Sequence, residues 1–202
     1  MTMANMEKTM ENLKKRGYDV THFTSKEAVV PYLLSEIGDR AVGLGGSMTI
    51  KELGLFPALL ERGETHWHWE QTGDHVRKLA NDCPVYIMSA NGVSESGQMI
   101  NIDGNGNRVA NMCFGHDVLY FIIGKNKIAP DDKMALWRAR NVASVKNVRR
   151  FGYPAPCMAG DELKCFDCDH PNRICKVFVT LEQKPSSIPK VEVILVDEAL
   201  GF

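Results

Sequence analysis

The glycine-rich segment Gly43–Thr49, with the sequence GLGGSMT, has the composition of an anion-binding loop. It overlaps the short apolar run Ala41–Leu44, which predicts a strand, and the capping-box pair Thr49 and Glu52 indicates that a helix follows. Glycines allow positive φ angles and close approach of a ligand, and a helix start offers free N–H groups to an anion. Alternatively, these residues only turn the chain and cap the helix. We predict four ligand-binding residues here: Gly45, Gly46, Ser47 and Thr49.

A second polar segment, Asp103–Arg108 (DGNGNR), combines a carboxylate, amides and a guanidinium. Arg108 is suited to bidentate recognition of a carboxylate or phosphate, and Asp103 has the chemistry of a general base. The alternative is a pair of turns, because Asp-Gly and Asn-Gly are common turn formers. We predict that Asn91, Asn107 and Arg108 bind the ligand, and that Asp103 lies in the same crevice as the glycine-rich segment.

Two lysines follow the strongly apolar run Val118–Ile123, which predicts a buried strand. The amine of Lys125 or of Lys127 could neutralise an anion at the carboxyl end of that strand. The alternative is that both lysines are solvated in a turn.

Four cysteines, Cys157, Cys165, Cys168 and Cys175, lie within nineteen residues. Thiolates select zinc or iron–sulfur clusters, and the C-x2-C pair can bind one ion from a tight turn. The spacing matches neither the zinc-ribbon pattern nor the bacterial ferredoxin run. Three interpretations stay open: a metal site for zinc or a [4Fe–4S] cluster, a redox-active dithiol at Cys165 and Cys168, and inert thiols. The predicted metal ligands are all four cysteines.

Alternating strands and helices must position these segments. The sequence predicts an N-terminal helix carrying Met3, Met6, Met10 and Leu13, and a long helix over Asp131–Asn147. Strands alternating with helices imply βαβ units, so we expect an α/β fold with a mainly parallel open sheet flanked by helices. The last two predicted strands could be an antiparallel addition at one edge. We expect one domain over residues 1–202, with a cysteine-rich loop at 157–175.

Three segments resemble the signatures of the LUD (lactate-utilisation) family. They are Val42–Leu55 (VGLGGSMTIKELGL), Ser89–Val109 (SANGVSESGQMINIDGNGNRV) and Gly124–Ile128 (GKNKI). The second is long and quite specific, and the resemblance extends from the first helix to Glu198–Phe202. The four-cysteine tail is not shared by every LUD protein.

This resemblance implies a fold like those of ribose-5-phosphate isomerase, CoA transferases and 5-formyltetrahydrofolate cyclo-ligase. It also implies a role in bacterial oxidation of lactate to pyruvate, alongside iron–sulfur partner subunits. Phosphosugar isomerases of that fold carry an Asp-Gly segment and a lysine near the reacting carbon. By this analogy alone, Asp103 and Lys125 are the candidate catalytic residues.

The composition excludes several classes of protein. With 202 residues, 44% hydrophobic residues and a formal net charge of −1, the chain has neither the composition of a disordered protein nor a nucleic-acid-binding footprint. No apolar run is long enough to cross a bilayer, and the polar N-terminus lacks the apolar region of a signal peptide. We therefore expect a cytoplasmic protein with no membrane insertion and with its cysteines not paired as disulfides.

Two further segments are expected to be structural. The alternating residues His66–Trp69 suit a strand with tryptophans on one face and histidines on the other. The basic stretch Lys146–Arg150 is expected to be a solvated helix end.

Three functions fit these features. The first is a protein of lactate or related organic-acid metabolism that binds a small anion, such as a phosphate ester, a CoA derivative or a carboxylate. The second is a non-catalytic subunit that uses the cysteine tail to work with an iron–sulfur partner protein. The third is a redox- or metal-sensing protein. A homo-oligomer is compatible with all three.

Overall fold

The computed structural model of the chain describes residues 5–202. Within them, the main sheet has six strands, numbered in chain order and all paired in parallel. From edge to edge they are β1 (Asp19–Phe23), β10 (Lys190–Val196), β7 (Val118–Gly124), β4 (Val85–Met88), β2 (Val42–Leu44) and β3 (Thr65–His66). Together with the flanking helices, this confirms the predicted α/β fold with a mainly parallel sheet.

A smaller, mixed sheet of four strands lies beside the main sheet. Its order is β8 (Ile128–Ala129), β5 (Gly92–Ser94), β6 (Met99–Asp103) and β9 (Val177–Leu181). Strand β9 is antiparallel to β6, whereas β10 lies inside the main sheet, parallel to both of its neighbours. The prediction of an antiparallel edge addition is therefore wrong for β10. The physical reason is burial, because every residue of β10 after Lys190 is buried and needs a partner on each side.

The helices in residues 5–202 are α1 (Met6–Lys15), α2 (Val29–Ile37), α3 (Met48–Glu52), α4 (Leu55–Leu60), α5 (His75–Asp82), α6 (Asn107–Asn111), α7 (Asp132–Arg138) and α8 (Val145–Phe151). A π-helical segment, Ala139–Ser144, joins α7 to α8 where the sequence predicts one uninterrupted helix. Met3, the first position of the predicted N-terminal helix, lies outside the described residues. No helix in the described part of the chain combines the length and the apolar character needed to span a bilayer.

Two hydrophobic cores pack against the opposite faces of the main sheet. Val85 and Ile87 of β4 belong to one core and Tyr86 and Met88 to the other, as strand alternation requires. Helices α2, α3 and α4 cover the first face, while α1, α5, α6 and the smaller sheet cover the second. Because both faces of the main sheet are covered, a ligand can reach it at the edge where the strands end. The carboxyl ends of the strands are the usual ligand-binding edge of such sheets.

Candidate functional site

A cavity of about 510 Å³ opens beyond the carboxyl ends of β2 and β4. Its floor is the set of residues that follow the strands of the main sheet, namely Gly45–Thr49 after β2, Ser89–Asn91 after β4 and Lys127 after β7. Of the floor, Gly46 and Asn91 line this cavity, while Ser47, Ser89 and Lys127 line a smaller adjoining cavity of about 40 Å³. Gly45 and Thr49, two of the predicted ligand-binding residues, line neither cavity. One wall is the cysteine-rich segment Cys157–Lys176, which contributes Arg173, Ile174 and neighbouring residues. We use the terms floor and wall for these two sets below.

The glycines of the floor are required by close packing. A Cβ atom on Gly45 would lie 3.1 Å from Cγ of Arg108, and one on Gly46 would lie 2.6 Å from Nε1 of Trp69. Neither glycine has a positive φ angle, so the prediction that they supply that conformation is wrong for both. Both positions therefore require glycine because the side chains of Arg108 and Trp69 pack closely against the backbone there.

The helix after the glycines begins two residues earlier than predicted. Ser47 caps α3 and accepts a hydrogen bond from the backbone N of Ile50 at 3.4 Å, while Thr49 is fully buried inside the helix. Helix α3 has five residues, so its dipole offers little to an anion. The charge that attracts an anion must therefore come from side chains.

Asp103 uses both carboxylate oxygens to hold the turn that leads into α6. Oδ1 accepts hydrogen bonds from the backbone N of Gly104 at 2.7 Å and of Asn105 at 3.3 Å, and Oδ2 accepts one from the backbone N of Arg108 at 2.9 Å. The residue lines the cavity together with Asn107 and Gly46. Asp103 therefore stabilises the turn, which agrees with the alternative interpretation of Asp103–Arg108 as turn-forming residues.

The guanidinium of Arg108 is fixed by neutral acceptors. Nη1 donates to Oδ1 of Asn101 at 3.1 Å, and Nη2 donates to Oδ1 of Asn91 at 3.3 Å and to the carbonyl of Ile102 at 2.8 Å. Its Nε lies 4.0 Å from Asp103, and only 11% of the side chain is exposed. Arg108 therefore places a positive charge at the junction of the floor and α6, while its Nη groups donate to acceptors within the protein.

The two lysines after β7 have opposite environments. Lys125 is exposed and lines neither cavity in the described residues, so the structure does not place this candidate catalytic residue at the site. Lys127 is 3% exposed, and its Nζ donates to Thr49 Oγ1 at 2.8 Å and to Ser89 Oγ at 2.9 Å. The short 3-10 turn Lys125–Lys127 directs the two side chains to different sides.

A stack of four side chains contributes to the lining of the cavity. The guanidinium of Arg150 lies 4.2 Å from the ring centre of Trp69 and 4.0 Å from that of Phe151, and the rings of Phe151 and Tyr153 are parallel to within 11°. Nε of Arg150 donates to Oδ1 of Asn147 at 3.0 Å. Arg150 is exposed in the last turn of α8, as the prediction of a solvated helix end requires, and aromatic rings in addition hold its planar cation at the cavity.

Positive charge dominates the lining. Besides Arg108 and Arg150, the cationic residues that line the cavity are Arg77, Arg173 and Lys176. Asp103 is the only carboxylate in the lining formed by the described residues. Burial lowers the pKa of His68, another lining residue, to about 4, so its ring is neutral near pH 7. The cavity therefore favours anions over neutral or cationic ligands.

The wall is held by arginines that bind backbone carbonyls. Arg149 donates to the carbonyls of Cys157 at 3.3 Å and Glu162 at 2.8 Å, and Arg173 donates to those of Cys168 and Cys175. These hydrogen bonds, rather than burial of apolar side chains, anchor the segment.

All four predicted metal ligands are free, partly buried thiols. Burial and then the nearby thiols of Cys168, Cys175 and Cys165 raise the pKa of Cys157, so this thiol is protonated near pH 7. In residues 5–202, no group of three or more His, Cys, Asp or Glu side chains is arranged to hold a metal ion. The structure therefore does not show the convergence that we predicted, and the metal site stays a prediction.

Several lining residues were not predicted from the sequence. His68 and Trp69 were expected in a strand, but β3 ends at His66 and the chain turns so that both side chains line the cavity, while Trp67 enters the core. No pattern in the sequence indicated that His68, Trp69, Arg77, Phe151 or Tyr153 line a site, because distant elements bring these residues together.

Comparisons with known proteins agree with this architecture. The family model described as "LUD domain" matches residues 6–196. A crystal structure of a DUF162 family protein from Deinococcus radiodurans is similar in fold, with a TM-score of 0.55, 12% identity and 95% of each chain covered. Among curated proteins, no significant match was found. Since the family model covers most of the chain, this protein belongs to the LUD-domain family.

Proposed function

We propose that the protein binds a small organic anion in the cavity and serves organic-acid metabolism, lactate utilisation in particular. The observation that carries this proposal is the lining, which presents five cationic side chains against one carboxylate that is already hydrogen-bonded to the backbone. Membership of the LUD-domain family supports the metabolic context.

The geometry favours a ligand with a carboxylate or phosphate group. A guanidinium has a planar fork of N–H donors that matches these groups. Arg150 lines the cavity and donates through Nε alone among its described contacts, whereas Arg108 donates through both Nη atoms to groups of the protein and contributes mainly its charge. The volume of about 510 Å³ is within the range of small-molecule sites, so a phosphate ester or a CoA-like molecule is accommodated as readily as lactate. Gly46, Ser47, Asn91 and Asn107 are then the neutral part of the proposed site.

Isothermal titration calorimetry with lactate, pyruvate, inorganic phosphate, glycerol phosphate and coenzyme A tests the proposal. We expect at least one of these anions to bind saturably and to bind more weakly as salt concentration rises. Arg150→Met should weaken this binding by about tenfold, because one charge-assisted hydrogen bond is lost. The matched control is Arg62→Met, an exposed arginine outside the lining. Absence of saturable binding by the whole panel would refute the proposal.

A second candidate function rests on the wall. Four free thiols lie in one segment, close enough to raise the pKa of Cys157. This fits a subunit that works with an iron–sulfur partner protein, or a redox- or metal-sensing protein. Purification without oxygen, followed by elemental analysis of the parent chain and a Cys165→Ser, Cys168→Ser variant, tests it. About one zinc or four irons per chain, lost in the variant, would support it.

A further inference from the structure

Lys127 is buried without a negative partner. Its side chain is almost inaccessible, and it forms no ion pair with a carboxylate in residues 5–202. A lysine removed from water normally needs a carboxylate, because burial of an unpaired charge is costly. The surroundings must therefore suit the uncharged amine.

The hydrogen bonds around Nζ fit a neutral amine. The hydroxyl of Ser89 donates its hydrogen to the carbonyl of Ile122 at 2.6 Å, and that of Thr49 lies 3.3 Å from the carbonyl of Leu200. Both hydroxyls thus accept from Nζ. An –NH2 group has two hydrogens, which these acceptors satisfy, and one lone pair, which stays free. An ammonium group would carry a third hydrogen with no acceptor in the described residues.

The electrostatic surroundings also favour the neutral amine. Burial, followed by the positive charges of Arg138 and Arg108, lowers the pKa of Lys127 well below its ordinary value, against the smaller opposing effect of the Glu52 carboxylate. Arg138 is itself buried and donates to the carbonyls of Asn126 and Asn91, which keeps its cation close to the lysine. Desolvation next to another cation is a recognised way to obtain a nucleophilic lysine.

Lys127 lines the smaller cavity, which lies beside the larger one. This cavity of about 40 Å³ is lined by Lys127, Ser47 and Ser89 together with Asn91 and Arg108. Asn91 and Arg108 also line the large cavity, so the two spaces adjoin. A compact ligand group can therefore lie beside Nζ while its anionic end meets the guanidinium of Arg108.

We propose that Lys127 is a nucleophilic residue that forms an imine with a small 2-oxo acid. In such an acid the carbonyl carbon is bonded directly to the carboxylate, which matches the placement of an amine and a guanidinium around one small cavity. This inference rests on the proposed function, because the cationic lining must hold the carboxylate.

The step balances without a further reactant. The lone pair of Nζ attacks the carbonyl carbon, the C=O electron pair moves to oxygen, and a proton passes from nitrogen to that oxygen to give a carbinolamine. Loss of the hydroxyl with the second amine proton releases one water and leaves a C=N bond. Borohydride then adds hydride to that bond and fixes the ligand as a secondary amine.

Reductive trapping with pyruvate and glyoxylate tests the proposal. The full chain is incubated with each acid and borohydride, and its mass is measured intact and after proteolysis. We expect one addition with the mass of the oxo acid less one oxygen atom, located at Lys127. Lys127→Met should reduce the adduct by about tenfold or more, since the amine is removed. Lys125→Met, an exposed lysine of the same turn, is the matched control and should leave the yield unchanged.

The outcomes separate this inference from the proposed function. Saturable binding of pyruvate or glyoxylate in calorimetry without an adduct at Lys127 would overturn the imine and leave the anion site standing. Adducts spread over exposed lysines, with no preference for Lys127, would also overturn it. Absence of saturable anion binding, measured without borohydride, would overturn the proposed function instead. Thermal melting of Lys127→Met confirms that the variant is folded before its adduct is scored.

Discussion

The floor and the wall of the cavity are held by different forces. The floor continues directly from buried strands, and Thr49, Ser89 and Lys127 in it are all buried. The wall has few buried residues and depends on hydrogen bonds from Arg149 and Arg173 to backbone carbonyls. The floor can therefore change only if the sheet is disturbed, whereas the wall can open while the sheet stays folded.

The largest expected effect comes from removing the Arg108 side chain, which holds Asn91 of the floor. Arg108→Met removes the guanidinium that donates hydrogen bonds to the side chains of Asn91 and Asn101 and to the carbonyl of Ile102. We expect the free energy of unfolding to fall by about 3 kcal/mol, because buried acceptors lose their partner. Anion affinity should fall by about 10- to 100-fold with the lost charge. Denaturant unfolding and calorimetry measure the two effects, and an unchanged affinity would contradict the assigned role.

A Cβ atom on Gly46 should have the next largest effect. Gly46→Ala places this atom 2.6 Å from Nε1 of Trp69, so we expect a loss of about 2 kcal/mol in unfolding free energy. Trp69→Leu in the same chain should recover part of that loss, since it removes the indole. Unfolding curves of the two single variants and the double variant give the coupling free energy between positions 46 and 69. Strict additivity would show that Trp69 is not the cause.

Removing an arginine that holds the wall should make the thiols of the wall react faster. Arg149→Met removes its hydrogen bonds to the carbonyls of Cys157 and Glu162. We expect thiol modification to become about tenfold faster, while the free energy of unfolding changes by about 1 kcal/mol or less, because local opening is decoupled from the sheet. The rate of reaction with a chromogenic disulfide reports the first effect. Arg62→Met is the control, and equal rates in both variants would contradict the role of Arg149.

The smallest effect concerns the buried lysine and changes with pH. Because burial depresses the pKa of Lys127 in the folded state, the unfolded state binds more protons between that value and the ordinary one. The lysine is therefore destabilising at neutral pH and progressively less so as pH rises. Lys127→Met should raise the melting temperature at pH 7 by roughly 2–4 °C for each kcal/mol gained, with the gain shrinking toward pH 10. A gain that grows with pH would contradict a depressed pKa.

The sequence predicted the main sheet and the floor well. Strand β7 is a seven-residue apolar run, and the glycine-rich segment does follow β2, so hydrophobic patterning alone located both. It did not separate Lys125 from Lys127, because the direction of a side chain in a short turn depends on what the turn packs against.

The rest of the site depends on contacts between distant segments. Trp69 and Arg150 are 81 positions apart in the chain and stack in space, and no local pattern indicates such a pair. The wall was predicted as a metal loop from its cysteine count, whereas the structure shows arginines holding its backbone. Those hydrogen bonds join side chains to carbonyl groups, which every residue carries, so the sequence alone gives no sign of them.

Because Arg150 stacks on Trp69, the fluorescence of this tryptophan should report whether the cavity is occupied. The indole of Trp69 lies under the guanidinium and 5.6 Å from the ring of Trp67, whereas the third tryptophan, Trp137, is 48% exposed. An anion that draws Arg150 toward itself changes the electric field across one indole and leaves the exposed one unaffected. Intrinsic fluorescence excited at the red edge of tryptophan absorption should then report occupancy, and a library of unlabelled acids can be screened without any knowledge of the reaction.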